Sequence, residues 1–297
     1  MSRTLTMLSI AAAVAVTACS PKDAAKSDSA KVAQAGAAAT APASRGAFDP
    51  TTHTATIYAK DFAFESPDSI SAGIVNFHLV NEGTTLHHAQ LIRLDSGKTA
   101  ADLAAVMKNP GPQPAWAVSI GGPNAPDPHS ATDATFDLKE GNYMLICFVD
   151  IPEHVPHFAK GMLRPLKVVA ASGTPAVAPT PDVTVTLVDY NFIVKGTLNA
   201  GKHVIKVENA GPQDHELEII RLAPGKTAKD LGDWMKSMQG PPPANAIGGI
   251  SGTVKSTNGY VTVDLTPGNY VLVCFLPDVK DGKTHLEHGM IKEIEVK

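Results

Sequence analysis

One phrase occurs twice in this chain, and that repetition restricts what it can fold into more than any other feature. Gly-x-Tyr-x-x-x-Cys, a loop and His-x-x-x-x-Met appears as Gly141, Tyr143, Cys147, His157 and Met162, then as Gly268, Tyr270, Cys274, His285 and Met290. Each copy is preceded by Asn-x-Gly-x-x-x-His, as Asn81, Gly83 and His87 and as Asn209, Gly211 and His215. The surroundings align too: Ile92-Arg93-Leu94 with Ile220-Arg221-Leu222, and Gly97-Lys98-Thr99-Ala100 with Gly225-Lys226-Thr227-Ala228. The offset is the same at both histidines and one residue shorter at the cysteine, so one deletion and one insertion separate the copies. This is the pattern of a duplicated domain, not of a short solenoid repeat.

Period-two patterning dominates each half and specifies strands. Val183, Val185 and Leu187 alternate with Thr184 and Thr186, and Val261, Val263 and Leu265 alternate with Thr262 and Asp264. The exception follows each Gly-Lys-Thr. Residues 99–108 and 227–238 carry apolar residues at helical spacing and stop at Pro110-Gly111-Pro112 and at Gly240-Pro241-Pro242-Pro243. The chain therefore reads as all-β: two tandem Greek-key β-sandwiches, each with one inserted helix and each closing its own core.

The ends suggest export. Arg3 and the apolar run from Met7 to Val16 read as a signal, too short to span a bilayer permanently. Val16-Thr17-Ala18-Cys19 resembles a bacterial lipobox, which implies cleavage before Cys19 and acylation of that residue. Ser20 after it favours sorting to the outer membrane over the inner one. The expected organisation is a signal over 1–18, a disordered tether over 19–49, a first domain over 50–170, a linker over 171–181 and a second domain over 182–297. The expected location is the periplasm, with a lipid anchor.

Net charge is −4, which argues against nucleic acid as a partner. The chain has 3 Cys, and with Cys19 lipidated two thiols remain in an oxidising compartment. Metal ligation accounts for them. A Cys147–Cys274 disulfide is the competing explanation, disfavoured because both occupy the same position in two repeats. One thiolate, two imidazoles and one thioether per copy suit copper in both oxidation states.

With this ligand set the chain resembles the cupredoxins, whose plastocyanin-like members carry the same Asn-x-Gly, Gly-x-Tyr-x-x-x-Cys and His-x-x-x-x-Met signatures. The resemblance covers nearly all of residues 50–297 and implies the cupredoxin sandwich. It also implies one type-1-like copper per domain, held by His87, Cys147, His157 and Met162 and by His215, Cys274, His285 and Met290. Three departures stand out. The Cys–His loops are longer than in small cupredoxins. Leu86 and Asp214 stand where a proline precedes the first histidine, and His88 and Glu216 stand where an asparagine often follows it.

Outer-sphere electron transfer is the leading expectation, with redox partners. Copper storage, delivery or resistance, with copper-handling partners, is the second, favoured by the extra donors His88, His154, Glu287 and His288. A metal-free interaction module is the third. An oxidase or nitrite reductase is disfavoured, because those enzymes place a histidine beside the copper cysteine. Here Ile146 and Phe148 flank Cys147, and Val273 and Phe275 flank Cys274.

Overall fold

The computed structural model describes residues 45–297 except 110, 152 and 172. The signal, Cys19 and nearly all of the expected tether lie outside the described residues. The first half contains β1 (Phe48–Asp49), β2 (Thr54–Lys60), β3 (Ala63–Glu65), β4 (Ser69–Ser71), β5 (Gly73–Asn81), β6 (Gln90–Leu94), α1 (Ala100–Val106), β7 (Ala117–Gly121), β8 (Ala131–Leu138), β9 (Gly141–Ile146) and β10 (Leu163–Val169). A short 3-10 turn, His157–Lys160, lies between the last two. The second half contains β11 (Val183–Val188), β12 (Asn191–Lys195), β13 (Gly201–Asn209), β14 (His215–Leu222), α2 (Ala228–Ser237), β15 (Ala244–Thr253), β16 (Asn258–Leu265), β17 (Gly268–Val273) and β18 (Ile291–Val296).

The fold is all-β with one helix in each half, as the patterning implies. In one sheet, alternation puts one face inward. Ala55, Ile57 and Ala59 of β2 and Val75, Phe77 and Leu79 of β5 are fully buried, and β11 and β13 repeat the pattern with Val183, Val185, Leu187, Ile205 and Val207. The facing sheet is covered on both sides, which explains the unbroken apolar runs before each cysteine. Tyr143 and Leu145 of β9 point into the main core, while Met144 and Ile146 pack with Leu103 of α1 and with Trp116. In the second half Val271 and Val273 pack with Leu231 and Trp234 in the same way.

Both helices begin at a capping box. Thr99 accepts from the backbone N–H of Asp102, and Asp102 reaches back to Thr99; Thr227 and Asp230 repeat the arrangement. Among the described residues no helix is long and apolar enough to cross a membrane.

The halves do not close their own sheets, a correction to the expectation of two separate sandwiches. Each of the two sheets is 9-stranded and runs through both halves. One joins β8 to β16 antiparallel, with Ala134 opposite Val261. Those two residues are repeat counterparts, so the join has local two-fold symmetry, like an isologous dimer interface fused into one chain. The other sheet joins at β7 and β15, where Ile120 faces Thr253, Pro123 faces Ile250 and Pro126 faces Ile247. Edge strands that each half alone would expose are thereby paired.

Candidate metal centres

Each centre forms at one end of a half-sandwich, where three connections meet. Cys147 follows β9, and β9 pairs antiparallel with β6, whose Gln90 lies opposite Ile146. That register brings His87, just before β6, to the cysteine. The loop after Cys147 then folds back on it. His157 N–H donates to Val149 O at 2.8 Å, Phe158 N–H to Cys147 O at 2.9 Å, Met162 N–H to His157 O at 3.1 Å and Cys147 N–H to Met162 O at 3.1 Å. The second loop copies this with His285 N–H on Leu276 O at 2.8 Å, Met290 N–H on His285 O at 2.8 Å and Cys274 N–H on Met290 O at 3.3 Å.

The ligand atoms of His87, Cys147 and His157 all lie within 4.8 Å of one another, as do those of His215, Cys274 and His285. The two Nδ1 atoms are 3.0 Å apart in the first centre and 3.1 Å in the second. Cys147 Sγ is 3.5 Å from His157 Nδ1, and Cys274 Sγ is 3.2 Å from His285 Nδ1. All six residues are 0% exposed, as are Met162 and Met290. Both cysteines are free thiols, so they are not bonded to each other.

The upstream Asn-x-Gly phrase shapes the loop that carries the first histidine. Asn81 accepts the Gly83 N–H at 3.0 Å and donates to Thr85 O at 2.8 Å and Pro126 O at 3.0 Å; Asn209 does the same with Gly211, Gln213 and Thr253. The glycine leaves room for the ring: a Cβ on Gly83 would lie 2.3 Å from His87 Nε2, and one on Gly211 would lie 2.5 Å from His215 Nε2.

Two acidic residues absent from the sequence-based set complete the shell. His87 Nε2 donates to Asp61 Oδ1 at 3.1 Å, and His215 Nε2 donates to Asp189 Oδ1 at 2.9 Å. A carboxylate only accepts, so each ring carries its proton on Nε2 and turns a bare Nδ1 lone pair into the centre. The next residue caps the other ring edge-on: Phe62 over His157 at 5.2 Å and Tyr190 over His285 at 5.8 Å between centroids. The signal for these residues is present in the sequence, as Asp61-Phe62-x-Phe64 and Asp189-Tyr190-x-Phe192 at the offset of the histidines.

Of the extra donors, His88 is buried and accepts the Phe148 N–H on Nε2 at 2.9 Å. Glu287 caps a turn through Thr284 at 2.8 Å, and His288 pairs with Asp281 at 3.1 Å. His154 is exposed.

Burial sets the protonation of the unliganded groups. It holds the His157 imidazole down at about 4 and lowers His87, His215 and His285 below their usual range. It pushes the Cys147 thiol up to about 12; burial first, and then the Glu216 carboxyl, raise Cys274 as well. Each centre is therefore neutral: three soft donors, no counter-charge inside, and a buried Nε2 on His157 and on His285 with no hydrogen-bond partner. A bare Nδ1, a second imidazole Nδ1 hydrogen-bonded to it and a thiol converge in a dry site, which fits a soft cation able to displace their protons.

No family model and no curated protein matches the chain. Solved structures do. A dithionite-reduced auracyanin from the photosynthetic bacterium Roseiflexus castenholzii is 20% identical over 39% of this chain and 97% of its own, with a TM-score of 0.29. Auracyanin A, a blue copper protein from Chloroflexus aurantiacus, is 22% identical over 39% and 99%, with a TM-score of 0.26. A copper nitrite reductase from Nitrosomonas europaea is 15% identical over 82% and 93%, with a TM-score of 0.25. In this chain's own strand arrangement, a buried His-Cys-His grouping lies at one end of each half-sandwich.

Proposed function

We propose that this protein is an exported, lipid-anchored copper protein that transfers electrons by the outer-sphere route, with one copper in each half. The observation that carries this reading is the pair of fully buried His-Cys-His clusters, alike in geometry and each with a methionine bonded through its backbone to the cysteine. His87, Cys147 and His157 would hold one copper, with Met162 as a weaker fourth donor. His215, Cys274, His285 and Met290 would hold the other. When bound, copper supplies the one-electron Cu(II)/Cu(I) couple.

The chain's own part is to hold the donors still. Asp61 and Asp189 fix the ring tautomers, and the backbone bonds among Cys147, His157 and Met162 fix the loop. Donors that barely move keep the rearrangement between oxidation states small, as outer-sphere transfer requires. Engagement of His88 and Glu287 in hydrogen bonds takes away two of the surplus donors that a storage or delivery role would use. The apolar neighbours of both cysteines support a carrier over an oxidase.

The lipobox around Cys19 supports an acyl anchor in the periplasm, on the outer membrane. Membrane fractionation of Cys19→Ala tests it: the variant should leave the membrane fraction, and full retention would place the anchor elsewhere. For the copper reading, titration with Cu(II) should raise an intense visible thiolate band that ascorbate bleaches and ferricyanide restores. Tight Cu(I) binding with no stable Cu(II) form would instead favour storage or delivery.

A further inference from the structure

Beside the second centre lies a group of donors that takes no part in its His-Cys-His cluster. A carboxylate oxygen of Asp278, one of Asp281 and a ring nitrogen of His288 all lie within 4.8 Å of one another. Asp278 is 3% exposed, Asp281 is exposed and His288 is partly buried. His288 Nε2 is 3.1 Å from Asp281 Oδ1. Among the described residues neither carboxylate has a Lys or Arg partner.

Asp278 is held firmly in place. Gln213 Nε2 donates to its Oδ2 at 3.0 Å, the Tyr190 hydroxyl donates to the same oxygen, and the Lys280 N–H donates to its Oδ1 at 2.7 Å. Outer-shell donors order ligating carboxylates in this way. The Tyr190 ring packs on both neighbouring imidazoles, 4.9 Å from His288 and 5.8 Å from His285 between centroids.

An independent observation points to the same spot. His285 is 0% exposed, and its ring turns Nδ1 to Cys274 Sγ at 3.2 Å and Nε2 toward Asp278 Oδ2 at 4.0 Å. That Nε2 has no hydrogen-bond partner. A buried polar atom left open calls for a partner that the chain itself does not supply.

The first half lacks these donors. Phe62 stands at the place of Tyr190, Thr85 at that of Gln213 and Lys160 at that of His288, and Asp281 falls in a loop one residue longer than its counterpart. His157 Nε2 is open there too, but among the described residues no further donor group forms in that half.

We propose that Asp278, Asp281 and His288 form a third metal site, for a divalent cation of Zn(II) character, beside the second centre and absent from the first. Two carboxylates and one imidazole suit a borderline divalent ion, whereas soft Cu(I) selects thiolate. Three protein donors leave a fourth tetrahedral position to water. The ion takes the place of the direct contact between His288 and Asp281. The site uses no thiol, so it does not rest on the copper reading.

The experiment is a Zn(II) titration of the full chain in detergent, first loaded with two equivalents of Cu(I) so that the thiolate centres are filled. One equivalent of Zn(II) should bind without releasing copper. Asp281→Asn and His288→Lys, the latter carrying the residue present in the first half, should each weaken it by about tenfold or more, since even outer-shell partners of a metal cost that much. Neither side chain lies in the core, so both variants should fold. The same titration of Cys147→Ser/Cys274→Ser should give the same result, which keeps this site separate from the fate of the copper reading. If no Zn(II) binds in either background, or if both variants bind it as tightly as the wild type, the site is wrong. Mg(II) at equal concentration should not compete; equal competition would overturn the assigned class of cation.

Discussion

The two centres share a ligand geometry and differ in what surrounds it. In the first, a phenyl ring caps the exit histidine, Phe62 over His157, and His88 holds the peptide after the cysteine. In the second, Tyr190 replaces the phenyl and donates its hydroxyl to Asp278. Asp278 also accepts from Gln213 at 3.0 Å and lies 4.0 Å from His285 Nε2; Glu216 takes the place of His88. Hydrogen bonds from Tyr190 and Gln213 hold the Asp278 carboxyl well below the usual carboxylate range. The inner ligands are thus alike in the two halves while the outer shell differs, with apolar and imidazole groups in the first and carboxylates in the second. Negative charge favours the oxidised, more positive metal, so the second centre should have the lower potential.

The largest effect that sharpens this comparison is stoichiometric. Cys147→Ser should remove one copper and its share of the visible band, and Cys274→Ser the other, measured by metal analysis of each purified variant. Loss of both coppers in either variant would mean that the halves do not hold metal separately. Next come the glycines beside the first histidines. Gly83→Ala places a methyl group 2.3 Å from His87 Nε2 and 2.6 Å from Asp61 Oδ1, whereas Gly211→Ala meets His215 Nε2 at 2.5 Å and Asp189 Oδ1 at 3.2 Å. Each should destabilise the protein by about 1–3 kcal/mol, the first more than the second, in chemical unfolding.

Charge comes third. Asp278→Asn should raise the potential of the second centre and leave the first unchanged. A tenfold change in the one-electron equilibrium corresponds to about 59 mV, and spectroelectrochemistry resolves a fraction of that. An equal shift in both centres would contradict the asymmetry.

The smallest effect is the pH dependence of the metal-free protein, and its sign differs between the two shells. Burial holds His88 and His157 at about 4, against an ordinary value of 6.5. The unfolded chain takes up those protons first, so stability falls as pH drops from 6.5 towards 4. Burial raises Glu216 to about 7, from 4.5, and raises Glu218 too. The folded state keeps protons that the unfolded chain releases, so this contribution is lost as pH rises from 4.5 through 7. Glu216→Gln should flatten the upper part of the melting-temperature profile and leave the acid limb in place.

The inner ligands are legible in the sequence because their chemistry is written as a repeated spacing, and the alternation of β11 and β16 specifies strands of a sandwich. Asp61 is harder to read. It lies on the turn after β2, 26 residues before His87, and reaches it only through the parallel pairing of β2 with β5. The fusion of the sheets leaves no trace in the pattern. Alternation in β8 says which face is buried and not which strand lies beside Ala134, so two closed sandwiches and one joined pair read alike. His88 reads as a polar residue free to be solvated, yet it is buried and accepts the Phe148 N–H.

The central claim is that each half carries its own copper-ligating cluster, and Cu(I) titration of the full chain in detergent tests it most directly. Two equivalents should bind per chain, with a visible thiolate band on oxidation, falling to one in each single cysteine variant and to none in Cys147→Ser/Cys274→Ser. Cu(I) binding that persists in the double variant, or a wild type that binds none in either oxidation state, would contradict it.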